Sequence, residues 1–224
     1  MTAGFRIRTQ WERLDRTYVD EFATLPVSVV SDVMSRLVSG GSNLRPMHCS
    51  GVLAGAALTV KTRPGDNLML HKAIEMAQPG DVIVVDAGGD VTNSLMGELM
   101  LAHAIKRGVA GFVLNGAIRD AQAFLHRNLP VYALGVTHRG PYRDGPGEIG
   151  LPINLGGMTV EPGDLVLGDL DGVVSVARAD LATVLAGAGK KHASEQVQMQ
   201  QTEDGSVDKS WIDQVLEQKG CVYL

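Results

Sequence analysis

The sequence is short of several residue types that mark particular protein classes. Its 224 residues include only two cysteines, Cys49 and Cys221, which excludes a disulfide framework and a cysteine-rich zinc site. Aromatic residues make up only 4% of the chain, so aliphatic side chains must fill the core. No apolar run approaches the roughly 18 residues of a membrane span, and the N-terminus has no apolar segment typical of a signal peptide. We therefore expect a cytoplasmic protein with reduced thiols.

Clustered positive charge is also missing from the chain. The formal net charge is -5, and no run of lysines and arginines is present. Because binding to nucleic acid or anionic lipid depends on clustered lysines and arginines, we expect neither a nucleic acid nor a membrane as partner. A small molecule is the more suitable ligand for such a chain.

Common catalytic motifs are absent as well. The sequence contains no GxxxxGK[ST], HExxH or GxSxG pattern, and its six histidines lack the spacing of metal ligands. Residues 145–150 match GxGxxG by letter, but no apolar strand precedes them and Leu151-Pro152 rather than a helix follows. A dinucleotide site needs strand, turn and helix together, so this motif does not indicate one.

Apolar runs that resemble strands alternate with segments that resemble helices, which is typical of an α/β protein. The predicted strands are 52–62, 82–86, 109–114 and 131–134, with an antiparallel hairpin region within 135–177. The predicted helical segments are 11–39, 67–77, 97–107, 121–127, 178–201 and 208–218. We assign residues 1–180 to one catalytic domain and 181–224 to a helical extension, which either is solvated or packs on a neighbouring subunit.

Two short segments carry residues suited to catalysis, each following a predicted buried strand. Gly97-Glu98 begins a helix, and Arg119-Asp120 lies in a predicted turn at 115–120. Ligands of open α/β sheets bind at the carboxyl ends of strands, so both segments are expected at one site. A helix N-terminus and an arginine fork both bind carboxylates. Asp120 is a hard oxygen ligand suited to Mg²⁺ or Mn²⁺, and Glu98 could hold one of the metal's waters.

Simpler interpretations stay open on spacing alone. Arg119-Asp120 could be a surface ion pair or an Asx-turn, and Glu98 could merely complement the helix dipole. A Schiff-base lysine is a further alternative, although no lysine has a sequence context that marks it as desolvated. Asn67, His71 and Arg36 are additional polar candidates near the site.

The ordered set of motifs resembles the RraA-like family. This family contains the class II 4-hydroxy-4-methyl-2-oxoglutarate/4-carboxy-4-hydroxy-2-oxoadipate aldolases and the regulator of ribonuclease activity A. The resemblance extends from about residue 31 to about residue 195. Its motifs are Pro-Gly-Asp-Asn at 64–67 with His71, Pro-Gly-Asp-Val at 79–82, Gly-Glu-Leu at 97–99, Gly-Ala-Ile-Arg-Asp at 116–120 and the segment 162–173.

The resemblance implies a swivelling β/β/α fold in three layers, assembled as a homotrimer or homohexamer. It assigns the substrate's pyruvyl carboxylate to Arg119 and to the backbone amides of Leu99 and Met100. It assigns the metal to Asp120, with Glu98 in the outer shell. It also implies that Glu195 in the C-terminal helix reaches the metal site of a neighbouring subunit.

The implied activity is a magnesium-dependent aldol cleavage that releases pyruvate through an enolate. Oxaloacetate decarboxylation should accompany it, because loss of CO₂ gives the same enolate. Two alternatives stay open: a non-catalytic ribonuclease regulator on the same scaffold, and a lyase or decarboxylase for another 2-oxo acid.

Overall fold

The computed structural model describes residues 3–224, which form a mixed α/β fold. The strands are β1 (Phe5–Ile7), β2 (Arg45–Pro46), β3 (Leu53–Thr62), β4 (Asp81–Asp86), β5 (Ser94–Met96), β6 (Gly111–Ile118), β7 (Val131–Val136), β8 (Gly147–Ile149), β9 (Ile153–Leu155), β10 (Met158–Val160), β11 (Leu165–Asp169) and β12 (Gly172–Val176). The helices are α1 (Arg16–Phe22), α2 (Val27–Val33), α3 (Leu68–Met76), α4 (Glu98–Lys106), α5 (Ala121–Arg127), α6 (Leu181–Asp204) and α7 (Ser210–Gln218).

A central sheet has the strand order β1-β8-β3-β4-β6-β7-β2. Strands β3, β4, β6 and β7 run parallel, so their carboxyl ends meet at one edge of the sheet. The short strand β5 pairs in parallel with the end of β6. The hairpin β11–β12 joins the sheet through an antiparallel pairing with β3.

Layers of helices and hairpins bury both faces of this sheet. The β4 sequence Asp-Val-Ile-Val-Val-Asp is almost wholly apolar because Ile83 and Val85 pack under α3 and α4, whereas Val82 and Val84 face the β9–β10 hairpin. A third cluster fills the space between the β11–β12 hairpin and the helices α1, α2 and α6. The long β-branched run is thus buried on both sides, as in other parallel sheets.

Two predictions were partly wrong, namely the helical segment over residues 11–39 and the turn over residues 115–120. Segment 11–39 contains two short helices, because Pro26 lies between them and Ser35 and Arg36 then adopt the left-handed region at φ 58° and 60°. Residues 115–118 continue β6 rather than forming a turn, since Ala117 pairs with both β5 and β7. Strands β1, β2 and β5 were not predicted, whereas β8 to β12 lie within the region 135–177 that was predicted to contain short strands.

The C-terminal extension consists of α6 and α7. The α6 helix buries Leu181, Val184 and Ala188 at its beginning, and its later part is polar and exposed. The α7 helix buries no residue in the single chain. Across residues 3–224, no helix is both long enough and apolar enough to cross a membrane.

Candidate active site

The Arg119-Asp120 pair lies directly after β6, beside the end of β5. The Arg119 backbone N–H donates to the Met96 carbonyl at 3.0 Å, which joins the two strand ends. Asp120 has a φ of 56°, a left-handed conformation that aspartate tolerates better than most residues. This turn directs the Asp120 carboxylate toward the start of α4, where its Oδ2 accepts the Glu98 backbone N–H at 3.0 Å.

Glycine is required at position 97 because there is no space for a side chain, not because of the backbone conformation. Its φ is −139°, which any residue can adopt. A Cβ added at Gly97 would lie 2.4 Å from Asp120 Oδ2 and 3.0 Å from Arg119 Cγ. The side chains of Arg119 and Asp120 therefore pack directly against the backbone at the start of α4.

The start of α4 has backbone N–H groups that line the same cavity as Arg119. The first N–H groups of a helix have no partner within the helix. Asp120 takes up the Glu98 N–H, and Leu101 N–H donates to the Gly97 carbonyl. Within residues 3–224, the N–H groups of Leu99 and Met100 thus stay without an acceptor. Two free N–H groups beside an arginine fork can bind one carboxylate.

These groups open into a cavity of about 440 Å³. The residues that line it are Asn67, His71, Met96, Gly97, Glu98, Leu99, Met100, Arg119, Asp120, Pro141 and Arg143. Eight of these eleven positions are site residues predicted from the sequence, and Met96, Pro141 and Arg143 are the three that were not predicted. Arg143 adds a second arginine to the cavity. An anionic ligand would therefore face two cationic side chains, Arg119 after β6 and Arg143 in the loop before β8.

A buried aspartate holds the loop that carries Arg143. Asp66 is fully buried, and its Oδ2 accepts the backbone N–H groups of Asp144 at 2.7 Å and Gly145 at 2.9 Å. Its Oδ1 accepts the Leu68 N–H at 2.9 Å, which ties the loop to the start of α3. Burial raises the pKa of Asp66, but these N–H donors and the Arg63 guanidinium outweigh it and leave the pKa below its usual value.

His71 lies one turn into α3 and is half-buried. Burial lowers the pKa of His71 below its usual 6.5, and the positive charges of Arg143 and His103 lower it further, against the opposing effect of Glu75. At neutral pH its imidazole is therefore uncharged, with one nitrogen free to accept a hydrogen bond.

Asn67 precedes α3 and is 1% exposed. Its Nδ2 donates to the Leu95 carbonyl at 2.9 Å and approaches Met100 Sδ at 3.3 Å. Its Oδ1 is buried and has no hydrogen-bond partner within residues 3–224. Native proteins leave few buried polar atoms unsatisfied.

The acidic residues provide a donor set suited to magnesium. Asp120 and Glu98 are about half exposed, and Glu98 Oε1 accepts from Arg127 at 3.0 Å. Mg²⁺ binds one or two carboxylates and keeps several waters, and two hard carboxylates beside an open cavity fit that preference. Within the described part of the chain, no three His, Cys, Asp or Glu side chains are grouped to hold a metal by themselves.

Glu195, the third predicted metal residue, lies in α6 and does not line this cavity in its own chain. Its carboxylate accepts from Lys191 at 2.6 Å, and Lys191 also reaches Asp32 at 3.1 Å. Arg36, the other polar candidate, is paired with Asp32 and also lies outside the cavity. A role for Glu195 in a neighbouring subunit stays a prediction.

Comparisons with known proteins agree with the predicted family and fold. The RraA-like family, described as aldolase/RraA, matches residues 27–175. A protein of Halalkalibacterium halodurans, provisionally named a 4-hydroxy-4-methyl-2-oxoglutarate aldolase, is 39% identical over 179 residues, which is 80% of this chain and 85% of the relative.

Solved structures share the fold. Streptomyces coelicolor RraAS2, described as an unusual member of the RNase ES inhibitor RraA family, has a TM-score of 0.77 and 26% identity over 84% of this chain and 98% of its own. An uncharacterized protein of Pseudomonas syringae pv. tomato has a TM-score of 0.79 and 23% identity over 88% of this chain and 97% of its own. The predicted α/β fold with a C-terminal helix is confirmed, and with a family match over residues 27–175 the chain belongs to the RraA-like family, which includes aldolases.

Proposed function

We propose that the protein is a divalent-metal-dependent aldolase that cleaves a 4-hydroxy-2-oxo dicarboxylic or tricarboxylic acid and releases pyruvate. The observation that carries the proposal is the convergence of the Arg119 fork and the free N–H groups of Leu99 and Met100, with the Asp120 carboxylate beside them. A 2-oxo acid presents a carboxylate next to a carbonyl, and these groups match an anion site next to a metal-binding carboxylate. The relative from Halalkalibacterium halodurans supports the same class of reaction.

The substrate carboxylate is bound by two kinds of donor. The Arg119 guanidinium donates two parallel hydrogen bonds, and the N–H groups of Leu99 and Met100 donate from the start of α4. Because these donors are fixed by the backbone and by Gly97, they need little reorganisation as charge develops in the transition state. The donors orient the 2-oxo group toward Asp120.

A divalent metal would be held by Asp120, Glu98 would hold one of its waters, and Glu195 of a neighbouring copy would complete the set. A bound Mg²⁺ would supply Lewis acidity to the 2-oxo group of the substrate. Asp120 is suited to this position because its Oδ2 is held by the Glu98 N–H while its Oδ1 makes no hydrogen bond within residues 3–224.

The reaction breaks the C3–C4 bond. A water acting as base removes the proton of the C4 hydroxyl, and the oxygen's electron pair forms a new carbonyl at C4. The electron pair of the C3–C4 bond moves onto the pyruvyl fragment, whose enolate is then protonated at C3 to give pyruvate. Arg119 stabilises the negative charge of the enolate throughout. Oxaloacetate decarboxylation gives the same enolate and should occur at the same site.

Arg143 and the uncharged His71 extend the site beyond the pyruvyl end. Both line the cavity, and the positive charge of Arg143 adds to the effect of burial in lowering the pKa of His71. A second or third carboxylate on the substrate would be bound by Arg143. We therefore favour a dicarboxylic or tricarboxylic substrate, such as 4-hydroxy-4-methyl-2-oxoglutarate or 4-carboxy-4-hydroxy-2-oxoadipate.

Substitution of Arg119 tests the proposal. Arg119→Ala should lower kcat/KM for pyruvate release about 100- to 1,000-fold, as expected for loss of a preorganised charge donor. Arg119→Lys keeps the charge but loses the planar fork, so it should recover only part of the activity. A loss of less than tenfold in Arg119→Ala would rule out this assignment. If the wild-type chain shows no turnover with Mg²⁺ or Mn²⁺, a non-catalytic regulator becomes the better interpretation.

A further inference from the structure

The unsatisfied oxygen of Asn67 sets a chemical requirement on the ligand of the cavity. Asn67 Oδ1 is buried and has no donor among residues 3–224, whereas Nδ2 donates to the Leu95 carbonyl. A buried acceptor without a donor destabilises a protein, because the loss of its hydration is not offset by a hydrogen bond. Because Asn67 is one of the residues that line the cavity, its unpaired oxygen is suited to a ligand that supplies the missing donor.

The orientation of the amide follows from its surroundings. Amide oxygen and nitrogen can be confused, and their assignment depends on the hydrogen-bond network. The Leu95 carbonyl can only accept, so the nitrogen of Asn67 must face it. The Asn67 backbone is also fixed, because its N–H donates to the Tyr142 carbonyl and its carbonyl accepts from His71 N–H, each at 3.0 Å. The oxygen is therefore held in place before any ligand enters.

Only one group of a 4-hydroxy-2-oxo acid can satisfy this oxygen. Ionised carboxylates and the 2-oxo group are acceptors, so they would repel Asn67 Oδ1. The C4 hydroxyl is the substrate's only donor at neutral pH. Leu95 directly precedes Met96, the last residue of β5, and Met100 belongs to the start of α4, so Asn67 lies against the elements that carry the carboxylate site.

We propose that Asn67 Oδ1 accepts the hydrogen bond of the substrate's C4 hydroxyl and thereby selects 4-hydroxy-2-oxo acids over 2-oxo acids without that hydroxyl. This inference rests on the proposed aldolase function. Asn67 is a positioning residue that orients the O–H bond whose proton leaves when the C3–C4 bond breaks. Oxaloacetate in its keto form has no hydroxyl, so its decarboxylation does not depend on this contact.

The test compares two reactions of one variant in the presence of Mg²⁺. Asn67→Leu replaces the amide by an apolar side chain of similar size. It should lower kcat/KM for cleavage of 4-hydroxy-4-methyl-2-oxoglutarate about 10- to 100-fold, the range for loss of a buried hydrogen bond. Oxaloacetate decarboxylation by the same preparation should change by less than about threefold. That second reaction also shows that the variant is folded.

Two further variants complete the experiment. If Asn67→Leu does not fold, Asn67→Ser is used, because its hydroxyl ends one bond short of the amide oxygen and should give the same selective loss. Ser175→Ala is the matched control, since Ser175 Oγ is also buried without a partner within residues 3–224 but lies outside the cavity. It should leave both reactions unchanged.

Equal losses in the two reactions, or no loss in either, would overturn the role of Asn67 and indicate that a water satisfies its oxygen. A wild-type chain that releases no pyruvate from either compound would instead contradict the proposed function and this inference with it. The two failures are therefore distinguishable.

Discussion

At the scale of single residues, the site depends on the missing side chain of Gly97. The Asp120 carboxylate and the Arg119 side chain occupy the space that a Cβ at this position would need. Both side chains follow the end of β6 directly, so their location could be predicted from the sequence. The positions of Arg143 and of the unpaired Asn67 oxygen could not be predicted in this way, because they depend on contacts between segments that are far apart in the chain.

Gly97→Ala should therefore impair activity more than stability. Its Cβ would displace Asp120 and Arg119 from the start of α4, and a displacement of about 1 Å can lower kcat about 100-fold. Overpacking of this kind usually destabilises by about 1–3 kcal/mol, so the variant should still fold. Gly189→Ala is the control, since a Cβ there meets nothing within 4 Å. Wild-type kcat in Gly97→Ala would show that this packing does not position the site.

At the scale of elements, the parallel strands and the helices that cover them were predictable because burial on both faces leaves long apolar runs. The prediction failed where strand pairing, rather than composition, determines the local structure. Residues 115–118 have the Asn-Gly sequence of a turn, yet Ala117 pairs with Ser94 and Gly135 in neighbouring strands. Gly116 lies under Leu95, where a Cβ would come within 2.7 Å of its side chain. Close packing between β5 and β6 therefore explains why position 116 is a glycine.

The loop that carries Arg143 should depend on the Asp66 carboxylate. Asp66→Asn replaces an acceptor oxygen by an amide N–H donor that faces other donors. The free energy of unfolding at pH 7, measured by thermal unfolding, should therefore fall by about 2–4 kcal/mol. The folded-state pKa of Asp66 is lowered, so the carboxylate stabilises the fold above its unfolded pKa near 3.8, and this contribution is lost as the pH falls through the lower folded value. The difference in the free energy of unfolding between Asp66→Asn and the wild type should therefore decrease in that acidic range.

Asp144→Asn provides the comparison for Asp66→Asn. Asp144 is mostly exposed and pairs with Arg63 at 3.5 Å, so its loss should change stability by less than about 1 kcal/mol. Similar stabilities for the two variants would mean that Asp66 does not anchor the loop.

At the scale of the whole molecule, the C-terminal extension has an apolar surface that the single chain does not cover. Trp211, Ile212 and Val215 of α7 are exposed, and the last three residues, 222–224, are exposed as well. Sequence reasoning predicted the helices from their pattern, but a single chain cannot show what they contact. Exposed apolar patches of this kind commonly mark protein–protein contacts.

Removal of residues 206–224 should therefore reduce the size of the assembly. We expect the full chain to form a trimer or hexamer and the shortened chain to form smaller species, as measured by light scattering during size-exclusion chromatography. Because α7 buries no residue in its own chain, the thermal unfolding of the remaining domain should change little under conditions where both forms are monomeric. Identical assemblies of the two forms would show that α7 contacts no other copy.

Asp120 and Arg119 are proposed to form a metal-dependent site that releases pyruvate. The most direct measurement follows pyruvate release from 4-hydroxy-4-methyl-2-oxoglutarate while Mg²⁺ is titrated into metal-free protein, for the wild type and for Asp120→Ala. We predict that wild-type activity rises with Mg²⁺ and is abolished by a chelator, and that Asp120→Ala shows no metal-dependent turnover at any concentration. Full activity after chelation, or a wild-type metal response in Asp120→Ala, would show that Asp120 does not hold a metal needed for catalysis.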